Sequence, residues 1–127
     1  MSESIVFISH FKIKEGKFES LMQNSQRVTE QIKENKPGTV VFMQYTNNEK
    51  TELSIIHVFP DAEAFDRQME GAEERSKAAI EFIEPTRREV YGAPSDKVME
   101  ALRPLSNSGI VFHAMPKATG GYIRIDS

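Results

Sequence analysis

The sequence predicts an α+β fold in which strands and helices follow the order β-α-β-β-α-β. Runs dense in β-branched and aromatic residues alternate with segments whose apolar residues recur at helical spacing. Two of the β-rich runs are separated by only four polar residues, and this spacing favours an antiparallel hairpin. The chain has 127 residues, a length that favours one domain with a modest core. We therefore predict a single domain over residues 1–127.

Four β-rich runs form the predicted sheet. They are Ile5–Lys14, Thr39–Thr46, Thr51–Phe59 and Arg87–Gly92. A predicted helix, Lys17–Asn35, joins the first run to the second, and it stops before Pro37, a residue that cannot continue a helix. The polar turn Asn47–Lys50 joins the second run to the third. The first three runs carry apolar residues at odd and even positions alike, so both faces of the sheet are expected to be covered.

A second helical segment follows the hairpin. Asp61 predicts its start, because the carboxylate can accept hydrogen bonds from the free amides of the first turn. Glycine costs about 1 kcal/mol relative to alanine inside a helix, so Gly71 predicts an interruption. A second helical piece is expected over Ala72–Ile83, and Pro85 is expected to end it.

Residues 93–127 extend the chain beyond this core. Ser95 predicts the cap of a short helix, and the apolar stripe of that helix is Val98, Met99, Leu102 and Leu105. A fifth strand is predicted over Gly109–Met115, and the Gly-rich tail contains one strand remnant, Tyr122–Ile125. The order of elements over residues 4–92 is that of a ferredoxin-like fold, in which the helices cover one face of the sheet.

Composition argues against several classes of partner. The formal net charge is −3, from 16 basic and 19 acidic residues, and no basic stripe is present, so we expect no nucleic-acid partner. The first residues match neither a signal peptide nor a membrane span, so we expect no membrane partner. The sequence contains no cysteine, which excludes disulfides and thiol nucleophiles and fits a cytoplasmic location.

Three local patterns have counterparts in a known family. FKIKEGKFESL matches a strand, a K-x-G turn and a helix, and VVFMQYTNNEK places Tyr45 on a hairpin strand. HVFPDAEAFDRQMEG matches the pattern E-x-W-x-S-x-E-A-(F/L)-x-x-H at Glu63, Ala64 and Phe65. Over Ile5–Gly92 the chain thus resembles the antibiotic biosynthesis monooxygenase family, within the dimeric α/β-barrel superfamily.

The chain departs from the family pattern at three positions. The family's Glu falls on His57, its Trp on Phe59 and its helix His on Gln68. Some members oxygenate aromatic phenols or quinols without metal or flavin, and others degrade haem. The haem-degrading members use an Asn, a Trp and an axial His, which fall here on Ser9, Phe59 and Gln68. Other members have no known activity. The resemblance therefore speaks against haem degradation, and it implies either an oxygenase without a cofactor or a member without known activity.

The resemblance also implies a homodimer, because members of the superfamily pack two four-stranded sheets face to face as a dimeric α/β barrel. The strands agree, since apolar residues such as Ile8 and Ile56 lie on the face opposite the helices. Leaving that face bare would exceed the roughly 300–600 Å² patch of a typical monomer. We therefore predict an obligate homodimer, in which the strand Ile110–Met115 either extends its own sheet or, as we favour, reaches over the partner.

Seven residues are the candidate site. The candidate catalytic residues are His57, Tyr45 and Gln68, and the candidate substrate-binding residues are Phe59, Phe65, Met69 and His10. A neutral histidine with a pKa of about 6.5 can act as the base that a phenol requires in an apolar cavity. Each residue also has a structural alternative, namely core or interface packing, or for Gln68 a hydrogen bond to a strand carbonyl. The three histidines lack metal-ligand spacing, so no metal site is predicted.

Two functions of different classes fit these observations. The first is a cofactor-independent monooxygenase acting on a small aromatic phenol or quinol. The second is a non-catalytic homodimeric module that binds a small hydrophobic ligand or assembles with a partner. The three departures from the family pattern favour this second function or an altered substrate. An isomerase or decarboxylase on the same scaffold is a third interpretation, because one fold hosts many chemistries.

Overall fold

A computed structural model describes residues 4–124 of the chain. The elements of this part are β1 (Ile5–Ile13), α1 (Phe18–Asn35), β2 (Val41–Thr46), β3 (Glu52–Phe59), α2 (Ala62–Met69), α3 (Ala72–Ala79), β4 (Ile83–Tyr91), α4 (Asp96–Leu102) and β5 (Val111–Met115). The predicted order β-α-β-β-α-β, followed by one helix and one strand, is confirmed.

The strands form one sheet in the order β2-β3-β1-β4-β5. Strands β2, β3, β1 and β4 pair antiparallel, which is the ferredoxin-like arrangement. Strand β5 pairs parallel with β4 of the same chain. The prediction that Ile110–Met115 reaches over a partner is therefore wrong, because α4 returns the chain to the free edge of its own β4.

The helices pack on one face of the sheet, where two clusters form the core. One consists of Ile5, Phe7, Phe59, Ala64, Phe65, Val90, Val98 and Leu102, and the other of Ile13, Leu21, Leu53 and Ile83. In β1 the residues Ile5, Phe7 and Ile13 are buried, whereas Val6 and Ile8 between them are only partly buried. The strand alternation therefore assigns one face to the core and leaves an open face opposite the helices.

The segment after β3 is divided as Gly71 predicts. Asp61 caps α2, because its carboxylate accepts a hydrogen bond of 2.8 Å from the Ala64 amide. Gly71 has a φ of 81°, a left-handed conformation that side chains disfavour, and α3 begins immediately after it. Helix α3 contains no buried residue, so it is held less firmly than α2.

Strand β4 begins earlier than predicted. The second helical piece ends at Ala79 rather than Ile83, and Pro85 lies inside the strand rather than at a helix end. The register between β1 and β4 shifts between His10 and Phe11, which leaves Thr86 as an unpaired extra residue. Such a bulge accommodates a proline in a strand, and single-sequence patterns do not reveal it.

The C-terminal extension follows its prediction only in part. Ser95 caps α4, because its hydroxyl accepts a hydrogen bond of 3.2 Å from the Val98 amide. Leu105 is 79% exposed and does not belong to the buried stripe. The tail forms no strand over residues 122–124, so the predicted remnant is wrong there, and Ile125 lies outside the described residues. Every helix within residues 4–124 is too short or too polar to cross a membrane.

Gly92 at the end of β4 gives a stability prediction. A Cβ atom there would lie 2.9 Å from the Ser4 carbonyl oxygen at a φ of 110°, whereas Gly109 has a φ of 79° and no atom within 4 Å of such a Cβ. We expect Gly92→Ala to lower the free energy of unfolding by about 3 kcal/mol and Gly109→Ala by about 1 kcal/mol. Urea denaturation measures both values, and equal losses would contradict the close approach at Gly92.

Candidate active site

A cavity of about 630 Å³ lies between the helix-covered face of the sheet and the four helices. This volume falls within the range of pockets that hold small organic ligands. Strands β1 to β4 form its floor, and α1 and α2 form much of its wall. The lining residues of α3 and α4 include the exposed side chains of Glu73, Ser76, Lys97 and Ala101. The cavity therefore opens to solvent along these two helices.

His57 lies in β3 among aromatic rings on the cavity floor. Its ring centroid lies 5.2 Å from that of Phe7, 5.1 Å from that of Phe42 and 5.9 Å from that of Phe59. The residue is 8% exposed. Leu53 and Phe59 lie an even number of residues from His57, so all three side chains point to the same face of β3. All three are buried, which places His57 on the helix-covered face.

Burial fixes the protonation state of His57. The pKa of His57 is lowered from 6.5 to about 4, chiefly by burial and to a smaller extent by the positive charge of Arg75, against the raising effect of a hydrogen bond to Phe7. That bond joins His57 Nδ1 to the Phe7 carbonyl oxygen over 3.3 Å. Because a carbonyl only accepts, Nδ1 carries the proton, and the neutral ring keeps a lone pair on Nε2 for a ligand.

Gln68 of α2 presents unused donors to the same cavity. Its side-chain oxygen accepts a hydrogen bond of 2.7 Å from the Thr39 hydroxyl. Within residues 4–124 its amide nitrogen makes no hydrogen bond, and no fully buried side-chain nitrogen or oxygen lacks a partner. Since Gln68 is only 5% exposed and lines the cavity, this amide nitrogen faces the cavity.

Two arginines that the sequence analysis did not select also line the cavity. Arg75 of α3 donates to the carbonyl oxygens of Gln68 and Glu70, at the end of α2. Arg88 of β4 donates to the carbonyl oxygen of Leu102, at the end of α4. Each thus satisfies a carbonyl that the end of a helix leaves unpaired. Burial lowers the pKa of both guanidinium groups.

The sequence patterns around these two arginines do not predict that they line the cavity. Arg88 is separated from the buried Val90 by one residue, so the alternation of β4 alone assigns it to the core face. A long basic side chain at such a position is ordinarily interpreted as a solvated residue. Arg75 lies in a helix with mixed charges, a pattern that is ordinarily interpreted as a solvated surface.

The structure brings four of the seven candidate residues to the cavity. His57, Phe65, Gln68 and Met69 line it. Phe59 does not, because it is completely buried and stacks on Phe65 with ring centroids 4.3 Å apart. It supports the cavity wall from behind and does not reach a ligand.

Tyr45 and His10 lie on the open face, so the structure contradicts their grouping with His57. Tyr45 pairs with Ser54 of β3, whereas His57 pairs with Phe42. Paired residues share a face and neighbours alternate, so Tyr45 points away from the cavity and is 52% exposed. His10 alternates in the same way with the cavity-lining Ser9. Assigning these faces requires the cross-strand register, which a single sequence does not supply.

His10 instead belongs to a polar cluster on the open face. Its Nε2 donates to Glu89 over 2.6 Å, and its Nδ1 lies 2.9 Å from the Ser54 hydroxyl. Tyr91 and Arg87 also donate to Glu89. The bond from Tyr91, followed by those from His10 and Arg87, lowers the pKa of Glu89 to about 2 against the opposing effect of burial. The bond to Glu89 raises the pKa of Tyr91.

Solved structures share the fold of this chain. MupZ from Pseudomonas fluorescens aligns with a TM-score of 0.70 and 19% identity over 95% of this chain and 91% of MupZ. SnoaB, a cofactor-independent oxygenase from Streptomyces nogalater, aligns with a TM-score of 0.62 and 16% identity over 74% and 96% of the two chains. A Caulobacter crescentus protein classed with the antibiotic biosynthesis monooxygenases has a TM-score of 0.63 and 14% identity, over 73% and 92%.

The chain has the fold of the antibiotic biosynthesis monooxygenases. The resemblance in the local motifs is thereby confirmed at the level of the fold. The alignment with MupZ covers nearly the whole chain, so it includes the helix and strand beyond the ferredoxin-like core. No protein-family model matches the sequence, and no curated protein matches it significantly.

The lowered pKa of His57 predicts a pH dependence of stability. Because His57 is protonated below about pH 6.5 in the unfolded chain but only below about pH 4 when folded, the unfolded state binds more protons in this window. The stabilisation is complete above pH 6.5 and is lost as the pH falls toward 4. From pH 7 to pH 5 the free energy of unfolding is expected to fall by about 2 kcal/mol.

Urea denaturation at the two pH values measures this loss. We expect His57→Gln to abolish about 2 kcal/mol of the pH-dependent change, and His113→Gln, which leaves His57 in place, to retain it. An unchanged pH dependence in His57→Gln would show that the pKa of His57 is not lowered by burial.

Proposed function

We propose that the protein is a cofactor-independent monooxygenase whose cavity binds a small aromatic phenol or quinol. The observation that supports this function best is the cavity of about 630 Å³, which combines aromatic walls with a neutral His57 and the free amide nitrogen of Gln68. SnoaB, which shares the fold, is a cofactor-independent oxygenase. The apolar wall would hold the ring system, and the polar groups would hold its hydroxyl.

In the proposed reaction the substrate supplies the electrons that reduce oxygen. One atom of O₂ enters a ring carbon and the other leaves as water with two substrate hydrogens, so a phenol becomes a quinone and no external reductant is needed. The reaction proceeds faster through the phenolate, because the negative oxygen raises the electron density of the ring. The protein's task is therefore to favour the phenolate and to exclude bulk water from it.

His57 alone is too weak a base for this task. Moving a proton from a phenol with a pKa of about 10 to an imidazole with a pKa of about 4 is unfavourable by roughly 8 kcal/mol. We propose that Nε2 of His57 accepts a hydrogen bond from the hydroxyl, while Arg75 and the Gln68 amide stabilise the charge that develops on the oxygen. This division of roles replaces the expectation of a histidine with an ordinary pKa.

The alternative function is a module that binds a small aromatic ligand without converting it. The low pKa of His57 suits this alternative as well, since a weak base can accept a hydrogen bond from a bound hydroxyl without taking its proton. Binding of phenols without oxygen consumption would establish it.

Oxygen uptake with two-ring and three-ring phenols tests the proposed reaction, in buffer with a chelator and without flavin. We expect His57→Gln and Gln68→Leu each to lower kcat/KM at least about tenfold, because each removes a hydrogen bond to the reacting oxygen. Tyr45→Phe is the matched control, since Tyr45 lies on the open face, and its kcat/KM should not change. No uptake above the spontaneous rate, or a larger loss in Tyr45→Phe than in His57→Gln, would contradict the proposal.

We further propose that the protein is a homodimer joined through the open face. Six partly exposed apolar side chains lie together there on β1, β2 and β3: Val6, Ile8, Val41, Met43, Ile56 and Val58. Burial of apolar surface contributes about 25 cal/mol per Å², and a second copy of the same sheet offers a surface of matching chemistry. The dimer would also exclude water from the cluster around Glu89.

Sedimentation equilibrium at low micromolar concentration tests this dimer. Ile8 and Ile56 face each other across β1 and β3, so we expect Ile8→Glu or Ile56→Glu to shift the protein to monomers. Leu105→Glu, at an exposed position in the loop after α4, should leave the dimer intact. A folded monomer of the unmodified protein would overturn the proposal.

A further inference from the structure

We propose that Arg88 and Ser9 form a carboxylate-binding site on the floor of the cavity, so that the natural ligand is an aromatic acid rather than a neutral phenol. This inference rests on the proposed function for the location of the ligand, and it adds that the ligand carries a negative charge. Arg88 and Ser9 face each other across β4 and β1, and both line the cavity. Their side chains bring a guanidinium and a hydroxyl side by side on the floor of the cavity.

Arg88 has unused hydrogen-bonding capacity. Its Nη1 donates to the Leu102 carbonyl oxygen over 2.6 Å, and a guanidinium carries five N–H groups in all. Capping the end of α4 accounts for one of these donors. Ser9 is 7% exposed and makes no side-chain hydrogen bond within residues 4–124, although no fully buried side-chain oxygen lacks a partner there. Its hydroxyl therefore faces the cavity.

The charge of Arg88 is also uncompensated. In the described part of the chain no carboxylate lies within 4.0 Å of its guanidinium. A half-buried positive charge without a partner is destabilising, and the lowered pKa of Arg88 reflects that loss of hydration. A ligand carboxylate would supply the missing charge, and the flat guanidinium matches its two oxygens.

The acidic side chains of the cavity do not compete for Arg88. Asp66, Glu70 and Glu73 also line the cavity. Asp66 accepts a hydrogen bond of 2.6 Å from the Ser95 hydroxyl. Glu70 and Glu73 are exposed and lie 3.9 Å and 3.7 Å from lysines outside the cavity. None of these three carboxylates therefore pairs with Arg88.

The surroundings of Arg88 suit an aromatic body attached to the carboxylate. Phe11 and Pro85 lie beyond the Ser9–Arg88 pair on the floor, and Val98 of α4 also lines the cavity. On the other side the floor continues to Phe7 and His57. A ligand with a carboxylate at one end and a hydroxyl at the other therefore fits the order of the polar groups, with Arg88 holding the first and His57 the second.

A matched pair of probes tests this inference on the unmodified protein. The probes are 6-hydroxy-2-naphthoate and 6-hydroxy-2-naphthamide, which share ring and hydroxyl and differ in charge. Isothermal titration calorimetry gives the Kd of each. We expect the naphthoate to bind at least about tenfold more tightly, because a charge-assisted hydrogen bond replaces a neutral one. Equal affinities, or binding of neither probe, would overturn the inference.

Variants then assign the preference to a residue. Arg88→Gln should bring the two Kd values together by weakening only the naphthoate, and Ser9→Ala should do so in part. Arg87→Gln is the matched control, since Arg87 is the neighbouring residue on the open face, and it should keep the full preference. Circular dichroism and thermal denaturation confirm the fold of each variant. If Arg88→Gln does not fold, Arg88→Lys takes its place and should retain a reduced preference.

Two outcomes separate this inference from the proposed function. Preferential binding of naphthoate without oxygen uptake would support the carboxylate site and contradict the monooxygenase. Oxygen uptake at equal kcat/KM for both probes would support the monooxygenase and overturn the carboxylate site. Loss of the preference in Arg75→Gln but not in Arg88→Gln would also overturn it, because the anion would then lie against α3.

Discussion

The pairing of β1 between β3 and β4 determines the chemistry of both faces of this protein. Side chains alternate between the two faces along a strand, and paired residues share a face. The register of β1 with β3 and β4 therefore determines which residues of all three strands face the helices. It sends Phe7, Ser9 and His57 toward the helices and His10, together with Glu89, toward the open face. A slip of one residue would place the cluster of His10 and Glu89 under the helices, where its charges would lose their hydration.

The cavity owes its polarity to the ends of the helices. Helices α2 and α4 each finish with carbonyl groups that need donors, and arginines from α3 and β4 supply them. A guanidinium held in this way keeps donors to spare and cannot turn freely into solvent. Arg75 and Arg88 therefore stabilise the ends of α2 and α4 and, by the same contacts, carry positive charge into an apolar cavity. The neutral state of His57 follows in part from this charge.

The sequence predicts the order of the elements well, because local signals mark them. The cap at Asp61 and the break at Gly71 depend only on neighbouring residues, and both are observed. His57 and Gln68 were recognisable as candidates because a polar side chain on an apolar stripe needs a partner. The face on which Tyr45 lies depends on its pairing with β3, so the sequence of its own strand does not predict it. Arg88 was overlooked because its partner, the end of α4, is fourteen residues away.

The bulge at Thr86 also constrains how this chain can be compared with others or redesigned. Before the bulge the helix-facing positions of β4 have odd numbers, such as Ile83, and after it they have even numbers, such as Arg88 and Val90. The Thr86 hydroxyl holds the shift in place by donating to the His10 carbonyl oxygen over 3.1 Å. If β4 paired with β1 without this bulge, either Ile83 or Val90 would face away from the core. An alignment of this chain with a strand that lacks the bulge therefore needs a gap at Thr86. Without that gap, residues that line the cavity are matched with residues on the opposite face of the sheet.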